Sequence, residues 1–139
     1  MTWIVYALLA AVFAALVAVF AKIGLGKVDS NLATAIRTLV LVPVLWGLVF
    51  ATGKHKGLAN IDHRALVFLV LSALATGASW LLYFRALSLG PATAVSALDK
   101  LSVAIVFILA VTILGEAFTW KAALGVSLVA AGCVVMVWK

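Results

Sequence analysis

Long apolar runs separated by short polar connections are the feature that most constrains how this chain can fold. The first run, residues 3–21, contains no charged side chain. A helix needs about 20 apolar residues to cross the hydrocarbon of a bilayer, and a backbone in lipid must satisfy its own hydrogen bonds. The runs predict transmembrane helices over residues 3–21, 32–51, 65–84, 91–114 and 119–138. The predicted fold class is an all-α integral membrane protein with five transmembrane helices in a single domain, residues 1–139.

The composition excludes a water-soluble globular protein. Hydrophobic residues make up 68% of the chain and charged residues 10%, whereas soluble domains are about 45–50% apolar and about 25% charged. Five spans leave no residues for a soluble enzyme domain. Membrane β-strands are also excluded, because barrel segments are about ten residues of alternating polarity. The first run exceeds the roughly 7–15 apolar residues of a signal peptide, so we expect a retained helix.

Polar and special residues predict where the helices begin and end. Asp29 offers a capping oxygen to the second helix, and Pro43 near its middle favours a kink. Residues 52–64 are predicted to form a solvated loop that contains His55 and His63. Gly90 and Pro91 are expected to separate the third helix from the fourth.

The net charge of +6 does not indicate nucleic-acid binding. Phosphate recognition needs basic residues gathered on one face, and here they are scattered between the apolar runs. We expect them to lie at the headgroup level, where anionic lipids attract them. Membrane lipid is therefore a predicted partner and nucleic acid is not.

The connections do not favour one orientation in the membrane, which normally follows the Lys and Arg bias of short loops. One side carries Lys22, Lys27, Arg85 and Lys139, and the other carries Lys54, Lys56, Arg64 and Lys121. Two interpretations stay open. Either one orientation prevails for reasons that a count does not capture, or both are made and two oppositely inserted copies pair as an antiparallel dimer.

Three ionisable residues lie within predicted spans, where charge is costly and marks a functional-site hypothesis. These are Arg37, Asp99 and Lys100. Adjacent residues on a helix point about 100° apart, so Asp99 and Lys100 are not expected to neutralise each other fully, and Arg37 is an available partner for Asp99. The group is either a structural charge network or a contact for substrate or a coupling proton, and both roles are compatible.

The third helix carries a polar and aromatic stripe. Ser72, Thr76, Ser79 and Tyr83 recur at helical spacing, and Trp80 stands beside them. For Ser72 and Thr76 we favour packing and hydrogen bonding between helices. Trp80 lies too deep for a simple interfacial anchor, and we predict that Trp80 and Tyr83 bind substrate.

Enzyme motifs are absent from the sequence. There is no G-x-S-x-G, H-E-x-x-H, P-loop or C-x-x-C pattern, and the single cysteine, Cys133, allows neither an intrachain disulfide nor a multi-cysteine metal site. No cofactor, metal or catalytic activity is predicted. In the fifth helix, Gly125 and Gly132 are seven residues apart and share a face, which favours helix packing.

Two stretches resemble a known family. They are YFRALSLGPA, residues 83–92, and LGEAFTWKAALG, residues 114–125, within a best-matched region of residues 80–132. The chain resembles the repeat unit of the EamA family in the drug/metabolite transporter superfamily, and the resemblance extends over all five helices. Small multidrug resistance proteins of that superfamily have four helices and a buried glutamate in the first, where this chain has no acid before Lys22.

The resemblance implies a transporter. Family members usually join two such repeats in inverted orientation around a substrate cavity, so a single repeat implies a dimer, and Gly90, Pro91 and Glu116 match family turns with an expected structural role. We expect secondary active or facilitated transport of a small metabolite or drug by a homodimer in a bacterial or archaeal cell membrane, the inner membrane if Gram-negative. The alternative is a non-transporting assembly partner or a heterodimer half of another transporter.

Overall fold

The computed structural model describes residues 2–138, and Lys139, which the charge count included, lies outside them. The described chain is helical and contains no strand. Its helices are α1 (Thr2–Gly24), α2 (Ser30–Ala51), a 3-10 helix (Lys54–Asn60), α3 (His63–Leu89), α4 (Ala92–Asp99), α5 (Ser102–Thr112) and α6 (Trp120–Val137). Taking α4 and α5 together as Ala92–Thr112, five helical segments are long and apolar enough to cross a membrane. The all-α fold with five spans is confirmed.

The second span begins and continues as helix for identifiable reasons. The carboxylate of Asp29 accepts hydrogen bonds from the backbone N–H groups of Asn31 and Leu32, at 2.9 and 3.2 Å, and so caps α2 as predicted. Beyond this cap, α2 runs unbroken through Pro43 to Ala51. A proline can stay within a membrane helix because local adjustments satisfy the backbone groups that it frees.

The third helix is longer than its apolar run indicated, ending at Leu89 rather than near residue 84. Arg85 did not end it, because arginine is a good helix former and charge alone does not stop a helix. The stop comes at Gly90 and Pro91. Since Pro91 has no N–H, the carbonyl of Leu87 has no partner four residues on. The Lys22 ammonium donates a hydrogen bond to this carbonyl, and the Leu87 side chain is fully buried.

The fourth span is not the continuous helix that the sequence predicted. It is interrupted at Lys100 and Leu101, where hydrogen bonds run to the third preceding residue instead of the fourth. The bonds join the N–H of Lys100 to Ala97, of Leu101 to Leu98, of Val103 to Lys100 and of Ala104 to Leu101, each at 3.0 Å. Bonds of this kind tighten the backbone to a 3-10 turn, which often marks a functional hinge when it lies within a helix.

The polar segment between the second and third spans is also more ordered than predicted. Lys54–Asn60 forms a 3-10 helix that packs on α2, and its residues other than His55 are solvent-exposed, as predicted for this segment. His55 is half-buried, with its ring centroid 5.1 Å from that of Phe50, so the prediction that both histidines are solvated is wrong for this one. The loop folds back because Gly53 adopts a left-handed backbone, with φ of 69°, directly after α2.

The chain divides into two compact units. The first comprises Met1–Phe20 and Leu89–Lys139, and the second comprises Ala21–Ser88. In the first unit α6 packs against α4 and α5, and the buried side chains are all small: Ala18, Ala97, Ala110 and Cys133. Small residues let helix backbones approach closely, which is how membrane helices gain packing energy without a hydrophobic driving force.

The turn between α5 and α6 depends on a glycine. Gly115 has a φ of 70°, a conformation that other residues adopt only with strain. It lets the chain turn back so that the Glu116 N–H donates to the carbonyl of Ala110 at 3.0 Å. The Thr119 hydroxyl then accepts a hydrogen bond from the Ala122 N–H and caps α6.

We expect Lys22→Met to destabilise the protein more than Lys27→Met. The first change leaves the Leu87 carbonyl without its charged donor, at a cost of about 1–3 kcal/mol. The second removes the same charge from an exposed side chain in the following connection. The measurement is the free energy of unfolding in mixed micelles titrated with a denaturing detergent. Equal losses in the two variants would contradict the role given to Lys22.

Candidate functional site

A groove runs between α2 and α3 in the second unit. Its volume is about 520 Å³, within the roughly 300–1,000 Å³ range of small-molecule sites. Most of the lining residues are small or carry a hydroxyl group, and the others are one tryptophan, one leucine and one asparagine. The lining residues are Asn31, Thr34, Ala35 and Thr38 from α2, and Ala73, Thr76, Gly77, Trp80 and Leu81 from α3.

The threonine hydroxyls of the groove already donate their protons to the backbone. Thr34 donates to the carbonyl of Ser30 at 2.8 Å, Thr38 to that of Thr34 at 2.9 Å, and Thr76 to that of Ser72 at 2.8 Å. A hydroxyl oxygen that has donated can still accept. The threonines therefore offer a ligand hydrogen-bond acceptors, whereas the Asn31 amide and the Trp80 indole N–H can donate.

A charged donor lies beside the groove, also on α2. The guanidinium carbon of Arg37 is 4.4 Å from the ring centroid of Trp80 and 5.2 Å from that of Phe84. Both distances are within the range of cation–π attraction, which strengthens where water is excluded. The two rings are four residues apart on α3 and so share a helix face. The structure thus brings together two residues that the sequence had proposed separately, Arg37 and Trp80.

Tyr83 lies next to this cluster. Its ring centroid is 6.4 Å from that of Phe84, with the rings close to edge-to-face, and its side chain is half-buried. Phe84, which is buried, was not among the predicted site residues. Its spacing from Trp80 is the signal that could have identified it, because residues four apart on a helix can hold one cation between them.

In the first unit, Asp99 and Lys100 form an ion pair. The Lys100 Nζ lies 3.3 Å from the Asp99 carboxylate, and the two side chains are 41% exposed for Asp99 and 55% exposed for Lys100. The two neighbours were not expected to neutralise each other fully, and the structure joins them by this one contact. The Lys100 side chain is long and flexible enough to reach back to Asp99 from the end of α4. The proposed pairing of Asp99 with Arg37 stays a prediction.

The residues given structural roles lie at turns and on an open helix face. Gly90 and Pro91 separate α3 from α4, and Glu116 makes its contact at the α5 turn through its backbone N–H. Gly125 and Gly132 are exposed on α6, and a Cβ added to either would meet no atom of the described residues within 4 Å. The buried residue of α6 is instead Cys133. The face that these two glycines share is therefore left open.

A metal centre has no candidate in the structure. Among residues 2–138, no group of three or more His, Cys, Asp or Glu side chains could hold a metal ion. The groove offers hydroxyl acceptors, an amide and an aromatic face, with one cation beside it.

The EamA-like transporter family model matches residues 1–138. A protein of Sinorhizobium sp, described as an uncharacterized transporter in the cobO 3' region, is 50% identical over 135 residues, which cover 97% of this chain and 96% of that protein. No solved structure matches the chain significantly.

We expect Asp99 and Lys100 to stabilise each other. A double-mutant cycle with Asp99→Asn, Lys100→Gln and both changes should give a coupling energy of about 1 kcal/mol, because removing one partner leaves a charge unpaired within a span. The free energy of unfolding in detergent micelles is the measurement. As a control, Asp99→Asn combined with Lys121→Gln should be additive. Additivity in the Asp99 and Lys100 cycle as well would show that the pair contributes nothing to the fold.

Proposed function

We propose that this chain, which belongs to the EamA-like transporter family, carries a small metabolite or drug across the membrane by alternating access between two copies. The observation that carries the proposal is the groove between α2 and α3, with Arg37 and Trp80 at its side. Polar side chains within apolar spans cost free energy, so their presence is expected where they serve a function. Polar groups that line an open groove are suited to a substrate path. The similar protein described as a transporter also supports it.

The number of spans supports a dimer. The family resemblance implies two repeats in inverted orientation, and the five spans of the described residues correspond to one of them. A second copy inserted in the opposite sense would supply the missing repeat, and the even division of Lys and Arg between the two sides is compatible with both orientations being made. The open face of Gly125 and Gly132 is suited to close contact with a helix of that copy.

Within this proposal, five residues contact the substrate: Arg37, Trp80, Tyr83, Asp99 and Lys100. Trp80 lines the groove directly. Asp99 and Lys100 lie where the fourth span is interrupted, and a hinge at that point would let the helix bend as access alternates. The protein is a multi-pass membrane protein, and we place it in a bacterial or archaeal cell membrane, the inner membrane if Gram-negative.

Trp80→Ala should lower transport about tenfold, because the variant loses a stacking surface worth about 1.4 kcal/mol. The measurement is initial uptake into proteoliposomes of purified protein, with amino acids, a polyamine and a cationic dye as probes. Trp46→Ala is the matched control, because Trp46 lies in the same unit but lines a different groove. If no probe moves until a second, different chain is added, the chain is a heterodimer half or assembly partner.

Two charge-biased variants test the antiparallel arrangement. Lys54→Gln with Lys56→Gln removes cations from one side, and Lys27→Gln with Arg85→Gln removes them from the other. Each variant should adopt one orientation, because cytoplasmic loops retain Lys and Arg. Each alone should be inactive, and co-expression of the two should restore transport.

Orientation is read by labelling from each side of the membrane, in a Cys133→Ser background that carries Thr2→Cys or Gly57→Cys. The unbiased protein should label from both sides at each position. A single orientation of the unbiased protein, or full activity of either biased variant alone, would rule out the antiparallel dimer.

A further inference from the structure

Arg37 is a cation within a span whose own unit offers no carboxylate for it. Residues 21–88 contain two acids, Asp29 and Asp62, and both precede the spans. The Asp29 carboxylate is engaged in capping α2. The same residues contain seven cations: Lys22, Lys27, Arg37, Lys54, Lys56, Arg64 and Arg85. The unit that holds the groove is therefore strongly positive, and its field attracts anions.

The aromatic contacts of Arg37 leave its donors available. A cation–π contact uses the face of the guanidinium plane, whereas its five N–H groups radiate within that plane. Within residues 21–88, the structure shows no hydrogen bond and no ion pair from these N–H groups. Arg37 contacts the Trp80 and Phe84 rings and interacts electrostatically with Tyr83. The rings thus hold the side chain in place, with its fork ready for a planar anion such as a carboxylate.

The groove suits the remainder of such an anion. Trp80 both contacts Arg37 and lines the groove, so a ligand whose charge meets Arg37 can place its apolar part against the same wall. The threonine hydroxyls have donated their protons to the backbone and do not compete with Arg37 for the anion. They would repel a second negative charge, because an oxygen that has already donated offers only lone pairs.

We propose that the groove binds a small, singly charged organic anion, with its carboxylate on Arg37 and its apolar body against Trp80. That the bound anion is transported rests on the proposed function, whereas binding of the anion does not. It excludes the organic cations as preferred substrates and gives Arg37 the role of determining specificity.

Iodide quenching of Trp80 fluorescence tests the proposal without a known substrate. The protein carries Trp3, Trp46, Trp120 and Trp138 replaced by Phe and is placed in nanodiscs of neutral phosphatidylcholine, which are open on both sides. Iodide should quench Trp80 about threefold more strongly than in the same protein with Arg37→Gln, because a potential of about one kT concentrates an anion about that much. Quenching by neutral acrylamide should be equal in the two proteins.

Arg85→Gln is the matched control, since it removes the same charge from the same helix as Trp80. It should leave iodide quenching within the error of the unaltered protein. Arg37→Lys should retain most of the iodide effect, because it keeps the charge. Circular dichroism confirms that each variant is folded. Equal iodide quenching in the Arg37→Gln and unaltered proteins would overturn the proposal.

Competition identifies the chemistry of the anion. Benzoate should reduce iodide quenching of Trp80 in a saturable way. Benzamide, its neutral analogue, should not, and neither should benzylammonium, a cation of similar size. Arg37→Lys should weaken benzoate at least about fivefold, because lysine cannot form the bidentate contact. Displacement by benzamide or benzylammonium as effective as that by benzoate would overturn the proposal.

An anionic lipid headgroup is the competing source of negative charge. Nanodiscs with added phosphatidylglycerol distinguish a lipid headgroup from a soluble anion. If phosphatidylglycerol abolishes the Arg37-dependent iodide quenching, but benzoate in neutral lipid does not, then Arg37 binds lipid and the proposal is overturned. A different set of results would refute the transport proposal. Benzoate binding without any flux would refute transport alone, whereas flux of a cationic dye unaffected by Arg37→Gln would refute the anion inference alone.

Discussion

The need to satisfy every backbone N–H and C=O group within the protein governs this structure, because lipid offers no hydrogen-bond partners. It makes the spans helical, and it explains the side chains found where a helix ends. Pro91 removes one N–H, and the carbonyl that it would have served receives the Lys22 ammonium instead. At the interruption of the fourth span the backbone remains bonded by shifting its partners from the fourth to the third preceding residue.

The same environment explains why so few side chains are buried. In water an exposed apolar side chain costs free energy, but in lipid it does not, so helices associate through close packing of small residues. The first unit follows this rule, with alanines and a cysteine as its buried residues. The glycines of α6 have the same character and yet meet no neighbour among the described residues. A surface of that kind gains packing energy only when another helix packs against it.

The sequence predicted the number and type of the spans because apolar length is a property of each segment alone. It also predicted the Asp29 cap and the turn at Gly90 and Pro91, both of which depend on local chemistry. It did not predict the 3-10 helix at Lys54–Asn60 or the interruption after Asp99, because apolar length does not reveal whether backbone bonds run to the third or the fourth preceding residue. The pairing of Arg37 with Trp80 was beyond it because it joins two different helices, although each residue was singled out as unusual for its depth.

The intramembrane charges are compensated in two different ways, and the difference bears on function. Asp99 and Lys100 meet each other, so the pair presents a dipole and no net charge. Arg37 meets two ring faces, with Tyr83 nearby, and a quadrupole attracts a cation without cancelling its charge. Aromatic partners therefore lower the cost of holding the guanidinium in the span while leaving its net charge and its hydrogen-bond donors for another group. A carboxylate in the position of Trp80 would stabilise Arg37 more strongly, but it would also occupy the donors that a ligand needs.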